Sequence, residues 1–170
     1  MLLRRAPVLP VGTLERRYAV RDRISRSPLA PYRWLSGWEL ETPGEFYPDA
    51  YLNRLAHAGV NGIWVAALLR NLVPSRVLPE LGPAAPRLDR LNDLIRRAAL
   101  YGIRVFVFCI EPRGLPAAHP ALAAHPELST GNGTLCTSVP LLRRHIRDTT
   151  ARLFAEAPGL AGMINLFNGE

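Results

Sequence analysis

Lysine is absent from this chain, so all 21 of its basic residues are arginine. They outnumber the 14 acidic residues and give a formal net charge of +7. A nucleic-acid-binding protein gathers such residues on one face or in a tail, whereas here they are spread, with local density only at 16–26 and 143–147. We interpret the excess as a bias of the coding sequence and expect no nucleic-acid partner, with polyanion binding as the lesser alternative.

Cysteine is scarce, because only Cys109 and Cys136 are present, and two are too few for a disulfide framework. Cys109 lies inside an apolar run, where a reduced, buried thiol is expected. The chain also lacks a CxxC motif and histidines at metal-ligand spacing, since His119 and His125 flank a Pro- and Ala-rich loop. No GxGxxG phosphate loop occurs either. We therefore expect neither a metal nor an organic cofactor.

Long hydrophobic runs are missing as well. No window approaches the roughly 18 apolar residues of a membrane span, so we expect no membrane association. The N-terminal MLLRRAPVLP does not contain the apolar stretch of about 7–15 residues that a secretory signal needs. This predicts a cytoplasmic protein, and a signal encoded upstream of Met1 stays open.

The chain does contain a regular alternation of strand-like and helix-like segments. Each helical pattern ends at a glycine and leads at once into an apolar run, as βα units with buried parallel strands require. The strand-like runs cover residues 32–40, 60–68, 103–110 and 160–167. The helical patterns between them cover residues 48–59, 87–102 and 139–159.

This order fits either an open, doubly wound sheet or the first half of a closed barrel. Long, Pro-rich loops follow the strand ends and the helix-to-strand links are very short, which is typical of barrel enzymes. We therefore predict an α/β fold, a partial (β/α)8 TIM barrel made of the first four parallel strands with their crossover helices. Residues 1–26 are interpreted as a lead-in or disordered arm, and 27–170 as the half-barrel. Two unpaired edges would then be exposed, which predicts self-association.

The segment YPDAYLNRLAHAGVNGIWVAALLRNL resembles the region between the first and second strands of barrel glycoside hydrolases. Together with IRVFVFCIEPR, LCTSVP and INLFNGE, it makes residues 27–170 similar to a bacterial group related to the family 20 β-hexosaminidases and α-glucuronidase-like barrels. The resemblance implies a carbohydrate substrate and a general acid at the end of strand four, which maps to Glu170. Family 20 carries an Asp before that Glu, to orient the substrate's acetamido group, whereas this sequence has Gly169. The departure argues against substrate-assisted chemistry and leaves a glutamic acid/base in place.

Further candidate site residues follow the predicted strands and are assigned to substrate binding. In the loop EPR, Glu111 can accept from sugar hydroxyls and Arg113 can bind hydroxyls or a sugar carboxylate, unless the two form a salt bridge that shapes the loop. Glu39 and Arg70 occupy equivalent rim positions, where a structural role is the alternative. Trp38, near a predicted strand end, is the tryptophan that we expect to stack on a sugar.

Glycoside cleavage requires two carboxyl groups on either side of the scissile bond. Glu170 is the prospective acid/base, and its partner would lie on a later strand. We therefore predict a glycoside hydrolase fragment that hydrolyses O-glycosidic bonds when complete and is inactive as these 170 residues alone. The alternative is a non-catalytic half-barrel that binds carbohydrate or associates with a partner half-barrel.

Overall fold

A computed structural model describes residues 17–30, 38–82 and 87–166. They form an α/β fold whose four-stranded, all-parallel sheet has the order β1-β2-β3-β4. The strands are β1 (Ile24–Ser25), β2 (Gly62–Ala66), β3 (Arg104–Ile110) and β4 (Gly162–Leu166). The helices are α1 (Pro43–Phe46), α2 (Asp49–His57), α3 (Leu69–Leu72), α4 (Arg87–Ala99), α5 (Pro120–Ala124) and α6 (Pro140–Glu156), with 3-10 helices at Trp38–Leu40, Pro79–Leu81 and Pro126–Leu128. The α/β class and the parallel sheet are confirmed.

The three longest helices connect successive strands: α2 precedes β2, α4 precedes β3 and α6 precedes β4. Each buries residues at helical spacing, as Leu91, Leu94 and Ala98 show in α4. That helix ends where Gly102 adopts a φ of +68° and Ile103 donates its N–H to the Ala98 carbonyl at 3.1 Å. The predicted helices and the last three predicted strands are confirmed; each of these strands begins one or two residues later than predicted, and β2 ends two residues earlier. None of the helices that the structure describes is long and apolar enough to cross a membrane.

The first strand differs from the prediction. It is Ile24–Ser25, which pairs with Gly62 and Ile63 of β2 and lies within the segment 1–26 that we interpreted as a lead-in. The predicted strand 32–40 is wrong at its end, because Trp38–Leu40 is a 3-10 helix, and residues 31–37 lie outside the described residues. Asn61 supports the short strand, since its side-chain oxygen accepts from the Arg23 N–H at 2.8 Å. A two-residue strand that is held partly by a side-chain hydrogen bond contains no hydrophobic run from which it could be predicted.

One face of the sheet is covered by helices. Ile63 and Val65 of β2 and Val105 and Val107 of β3 belong to a single core with buried residues of α2, α4 and α6. Because successive side chains of a strand point to opposite faces, the residues between them lie on the other side. The three crossover helices α2, α4 and α6 therefore pack on one side of the sheet.

The second face carries large apolar side chains and is here called the aromatic face; its members are Trp64, Phe106, Phe108, Ile164 and Leu166. Trp64 and Phe108 lie with ring centroids 4.9 Å apart. Phe106 lies between two glycines, where a Cβ at Gly62 or Gly162 would be 3.1 Å from its ring. Toward β4 the face opens, since Ile164 is 36% and Leu166 46% exposed. In the described part of the chain, the aromatic face therefore lacks the helices that cover the opposite face of the sheet.

Candidate functional site

The carboxyl ends of the four strands meet at one edge of the sheet because all four run parallel. Arg26 follows β1, Leu69 and Arg70 lie just beyond β2, and Glu111 follows β3. In open and closed parallel α/β folds alike, ligands bind at this edge. Of the predicted site residues, the structure brings Arg70, Glu111 and Arg113 together here, and Glu39 approaches from the 3-10 helix Trp38–Leu40.

Glu39 is 1% exposed and is held by groups from two strand ends. Its Oε1 accepts from Arg26 Nε at 2.8 Å and from Arg26 Nη2 as well. The backbone N–H of Ala66, the last residue of β2, lies near this carboxylate and helps to lower its pKa. Burial raises the pKa of Glu39, and the Arg26 guanidinium opposes the shift. The ion pair thereby joins the ends of β1 and β2.

Tyr47 closes the remaining side of Glu39. Its hydroxyl donates to the Trp64 carbonyl at 2.8 Å, accepts from the Ser27 N–H at 3.2 Å and lies 3.5 Å from Glu39 Oε2. Burial, followed by the charge of Glu39, raises the pKa of the Tyr47 hydroxyl well above its ordinary value, so its proton stays in place. These contacts favour a positioning role for Glu39 over direct contact with a ligand.

Glu111 is almost as buried, at 6% exposure, but its hydrogen bonds come from the backbone. Oε1 accepts from the Leu69 N–H at 2.7 Å and Oε2 from the Arg113 N–H at 3.3 Å. The main chain of Glu111 exchanges two hydrogen bonds with the Asn165 side chain, at 3.0 and 3.1 Å. Burial raises the pKa of Glu111, and the two N–H groups and then the charge of Arg70 oppose that shift. One residue thus connects the ends of β2, β3 and β4.

Arg70 lies beside Glu111 without bonding to it. The guanidinium is partly buried, and within residues 17–30, 38–82 and 87–166 it forms no hydrogen bond or ion pair. Burial lowers the pKa of Arg70, the charge of Glu111 opposes the shift, and the charge of Arg113 adds to it. Arg70 therefore forms no salt bridge with Glu111, and neither its predicted role in substrate binding nor the structural alternative is decided by these contacts.

A second polar cluster was missed by the sequence reasoning. His145 of α6 is 4% exposed, and its Nδ1 lies 2.8 Å from Ser75 Oγ in the loop after α3. Because Ser75 Oγ already accepts from the Leu78 N–H at 2.8 Å, its own hydrogen is available for His145. Burial lowers the pKa of His145, Asp148 opposes the shift, and Arg70 adds to it. The cluster holds the loop after β2 against α6, and His145 stands three residues after Leu142, a spacing that could have placed it on the buried face.

Two predicted site residues cannot be located in this way. Glu170 and the side chain of Trp38 lie outside the described residues, so acid/base catalysis and sugar stacking stay predictions. Asn165 was not singled out from the sequence, although it lies within the predicted run 160–167 and ties Glu111 to β4. Among the side chains that the structure describes, no three of the His, Cys, Asp or Glu type could hold a metal ion together.

Comparison with known proteins adds no assignment. No family model matches the chain, and no curated protein matches it significantly.

Proposed function

We propose that the chain is the N-terminal half of a (β/α)8-barrel glycoside hydrolase. The observation that carries this proposal is a sheet in sequential order whose crossover helices all pack on one face. A doubly wound sheet has helices on both faces, whereas a barrel places helices outside and packs side chains inside. The aromatic face would then be the inner surface, and the open edges of β1 and β4 would pair with further strands.

The polar residues at the carboxyl ends of the strands are assigned to the active-site rim. Arg70 and Arg113 bind the substrate, and the buried carboxylate of Glu111 fixes the loops that present them. Glu170 is the general acid/base and Trp38 a sugar platform, assignments that rest on the resemblance of INLFNGE and on the position of WEL. A second carboxyl group would come from the other half of the barrel.

The test of this proposal is leaving-group dependence in the complete gene product. Replacing Glu170 with glutamine should lower kcat on an aryl glycoside with a poor leaving group by about 10²–10⁴-fold. A dinitrophenyl glycoside, whose leaving group needs no proton, should lose far less. Equal losses on both substrates, or no loss, contradict the assignment of Glu170 as general acid. Glu127→Gln is the matched control, because that carboxyl group is exposed in the 3-10 helix Pro126–Leu128.

A second candidate function, a half-barrel that associates with a partner half, is favoured by the exposure of Ile164 and Leu166 on the aromatic face. The purified chain should run larger than a monomer in light scattering and show no glycosidase activity. Ile164→Glu should shift it toward the monomer, because a carboxylate would have to be buried at the contact. Leu100→Glu is the control, since Leu100 is 82% exposed at the end of α4. An active, monodisperse monomer would contradict both candidates.

A further inference from the structure

We propose that His145 is a pH-sensitive latch, which holds the loop 73–78 against α6 while the imidazole is neutral and releases it when the imidazole is protonated. The loop directly follows α3, the short helix that contains Arg70, so the latch regulates the order of a segment beside the carboxyl end of β2. This inference goes beyond the proposed function and does not depend on it, because it rests on contacts between the loop and α6.

The hydroxyl of Ser75 can bond His145 in only one direction. A serine hydroxyl has two acceptor lone pairs and one hydrogen. Both lone pairs are in use, because Ser75 Oγ accepts from the Leu78 N–H at 2.8 Å and from the Val77 N–H at 3.2 Å. The hydrogen of the hydroxyl is therefore donated to His145 Nδ1, which lies 2.8 Å away. Since Nδ1 accepts this bond, the imidazole is neutral and carries its proton on Nε2.

Protonation of His145 is incompatible with this arrangement. An imidazolium has a hydrogen on both ring nitrogens, so Nδ1 would present a donor to an oxygen whose lone pairs are already occupied. Ser75 and His145 are 8% and 4% exposed, so water has little access to replace a lost bond. The hydroxyl of Ser75 would have to give up one of its two backbone N–H donors, and the turn that those bonds close would open.

The surroundings of His145 set the direction of the pH response. Burial lowers the pKa of His145, Asp148 on the same helix opposes the shift, and Arg70 on α3 adds to it. The stability that the latch contributes is therefore present above the ordinary histidine pKa of about 6.5, and it is lost as the pH falls through the lower, folded pKa. Acidification is the change that opens the latch.

Two other contacts confine the release to the middle of the loop. At its start, Arg152 of α6 donates to the Pro74 carbonyl. At its end, Leu78 is fully buried in an apolar cluster with side chains of α6. Neither contact contains a group that titrates near neutral pH, so both persist when His145 is protonated. The response is therefore expected at residues 75–77 and at the N–H of Leu78.

Hydrogen exchange of the Val77 and Leu78 amides measures the latch, because both donate to Ser75 Oγ. Exchange rates are corrected for the intrinsic effect of pH. Between about pH 7.5 and about pH 5, on either side of the ordinary histidine pKa, we expect the protection of these amides to fall at least about tenfold, as the loss of one buried hydrogen bond gives. The amides of β3 should keep their protection over the same range.

Two histidine variants assign the response to a single ring. His145→Asn offers an amide oxygen near the position of Nδ1 and has no proton to gain, so the acid-induced fall in protection should disappear. His125→Asn is the matched control, because His125 lies 3.7 Å from a Glu80 oxygen and 3.5 Å from a Glu127 oxygen and has no part in the latch. It should leave the fall unchanged. Circular dichroism of each variant checks that it is folded.

Three results would overturn the inference: equal protection at the two pH values, an acid effect of the same size in His145→Asn, or a simultaneous loss of protection in β3, which indicates global unfolding. If His145→Asn does not fold, the ring nitrogen chemical shifts of His145 in the unmodified protein decide. An Nδ1 that is unprotonated at neutral pH and gains a proton as the loop loses protection supports the latch, and an Nδ1 that is already protonated at neutral pH contradicts it. The hydrolase proposal is decided separately, by Glu170→Gln.

Discussion

Glu39 and Glu111 lie at the same edge of the sheet, at 1% and 6% exposure, and burial raises the pKa of both. Glu39 bonds directly to Arg26 and is closed off by Tyr47. Glu111 is satisfied by backbone N–H groups and leaves Arg70 beside it without a hydrogen bond. A buried carboxylate can thus either form an ion pair with a neighbouring guanidinium or lie beside it and leave its N–H groups available to another partner. Glu39 is therefore a structural joint, meaning a residue that holds two strand ends together, whereas Glu111 lies in a candidate binding site.

The largest effect is expected for Glu39→Gln. The substitution removes the buried carboxylate that accepts from Arg26, so we expect the free energy of unfolding to fall by about 3 kcal/mol, near the lower end for a broken buried pair. Urea unfolding followed by circular dichroism measures it. A loss no greater than that of Glu127→Gln, an exposed carboxyl, would show that Glu39 is not a structural joint.

Glu111→Gln sharpens the comparison, because the same chemical change should cost less there. The amide oxygen of glutamine can still accept from the Leu69 N–H, so we expect a loss of about 1–2 kcal/mol in the same urea experiment. If this variant unfolds more readily than Glu39→Gln, the contrast between the two sites is wrong.

Tyr47→Phe tests the hydrogen bonds that the Tyr47 hydroxyl makes beside Glu39. It removes one hydroxyl that bridges the Trp64 carbonyl and the Ser27 N–H, and we expect a loss of about 1 kcal/mol. Tyr51→Phe is a matched control on α2, and its urea midpoint should stay close to that of the unmodified protein. Equal losses for the two variants would mean that the hydroxyl of Tyr47 contributes nothing specific.

The smallest effect is expected in the pH dependence of stability. Because the folded pKa of Glu111 is raised, the folded protein holds a proton that the unfolded chain releases near its ordinary pKa of about 4.3. The stability contributed by Glu111 is therefore present below that pH and is lost as the pH rises through the folded pKa. Urea midpoints from pH 4 upward should show the advantage of the unmodified protein over Glu111→Gln shrinking. An advantage that grows with pH would mean that the folded pKa is lowered.

Much of the fold could be predicted because its buried strands are continuous apolar runs. Gly62–Ala66, Arg104–Ile110 and Gly162–Leu166 all lie inside predicted runs, and each follows a helix with a clear apolar stripe. The first strand could not be found in this way. Ile24–Ser25 has only two residues and is paired partly through the Asn61 side chain, whereas the aromatic run 32–40 offered a stronger strand pattern.

The sequence predicted which residues make up the candidate site, but not how they bond to one another. Arg70, Glu111 and Arg113 were found because polar residues that follow parallel strands meet at one edge. Glu39 was placed after a strand that is a 3-10 helix in the structure, and it still reaches this edge through Arg26 and Ala66. Which guanidinium each carboxylate bonds depends on tertiary geometry. The contact of Ser75 with His145 joins residues 70 positions apart and leaves no local signal.

The position of Phe106 between Gly62 and Gly162 has a consequence for any surface that packs on the aromatic face. The Phe106 ring lies against Gly162, its register partner on β4, and against Gly62, which stands two residues before its register partner Trp64 on β2, and neither glycine contributes side-chain volume. A complementary surface must therefore be shallow above the ring and deep above the glycines, alternating in size as the layers inside small barrels do. The shape of the aromatic face thus specifies part of the shape of any surface that packs against it.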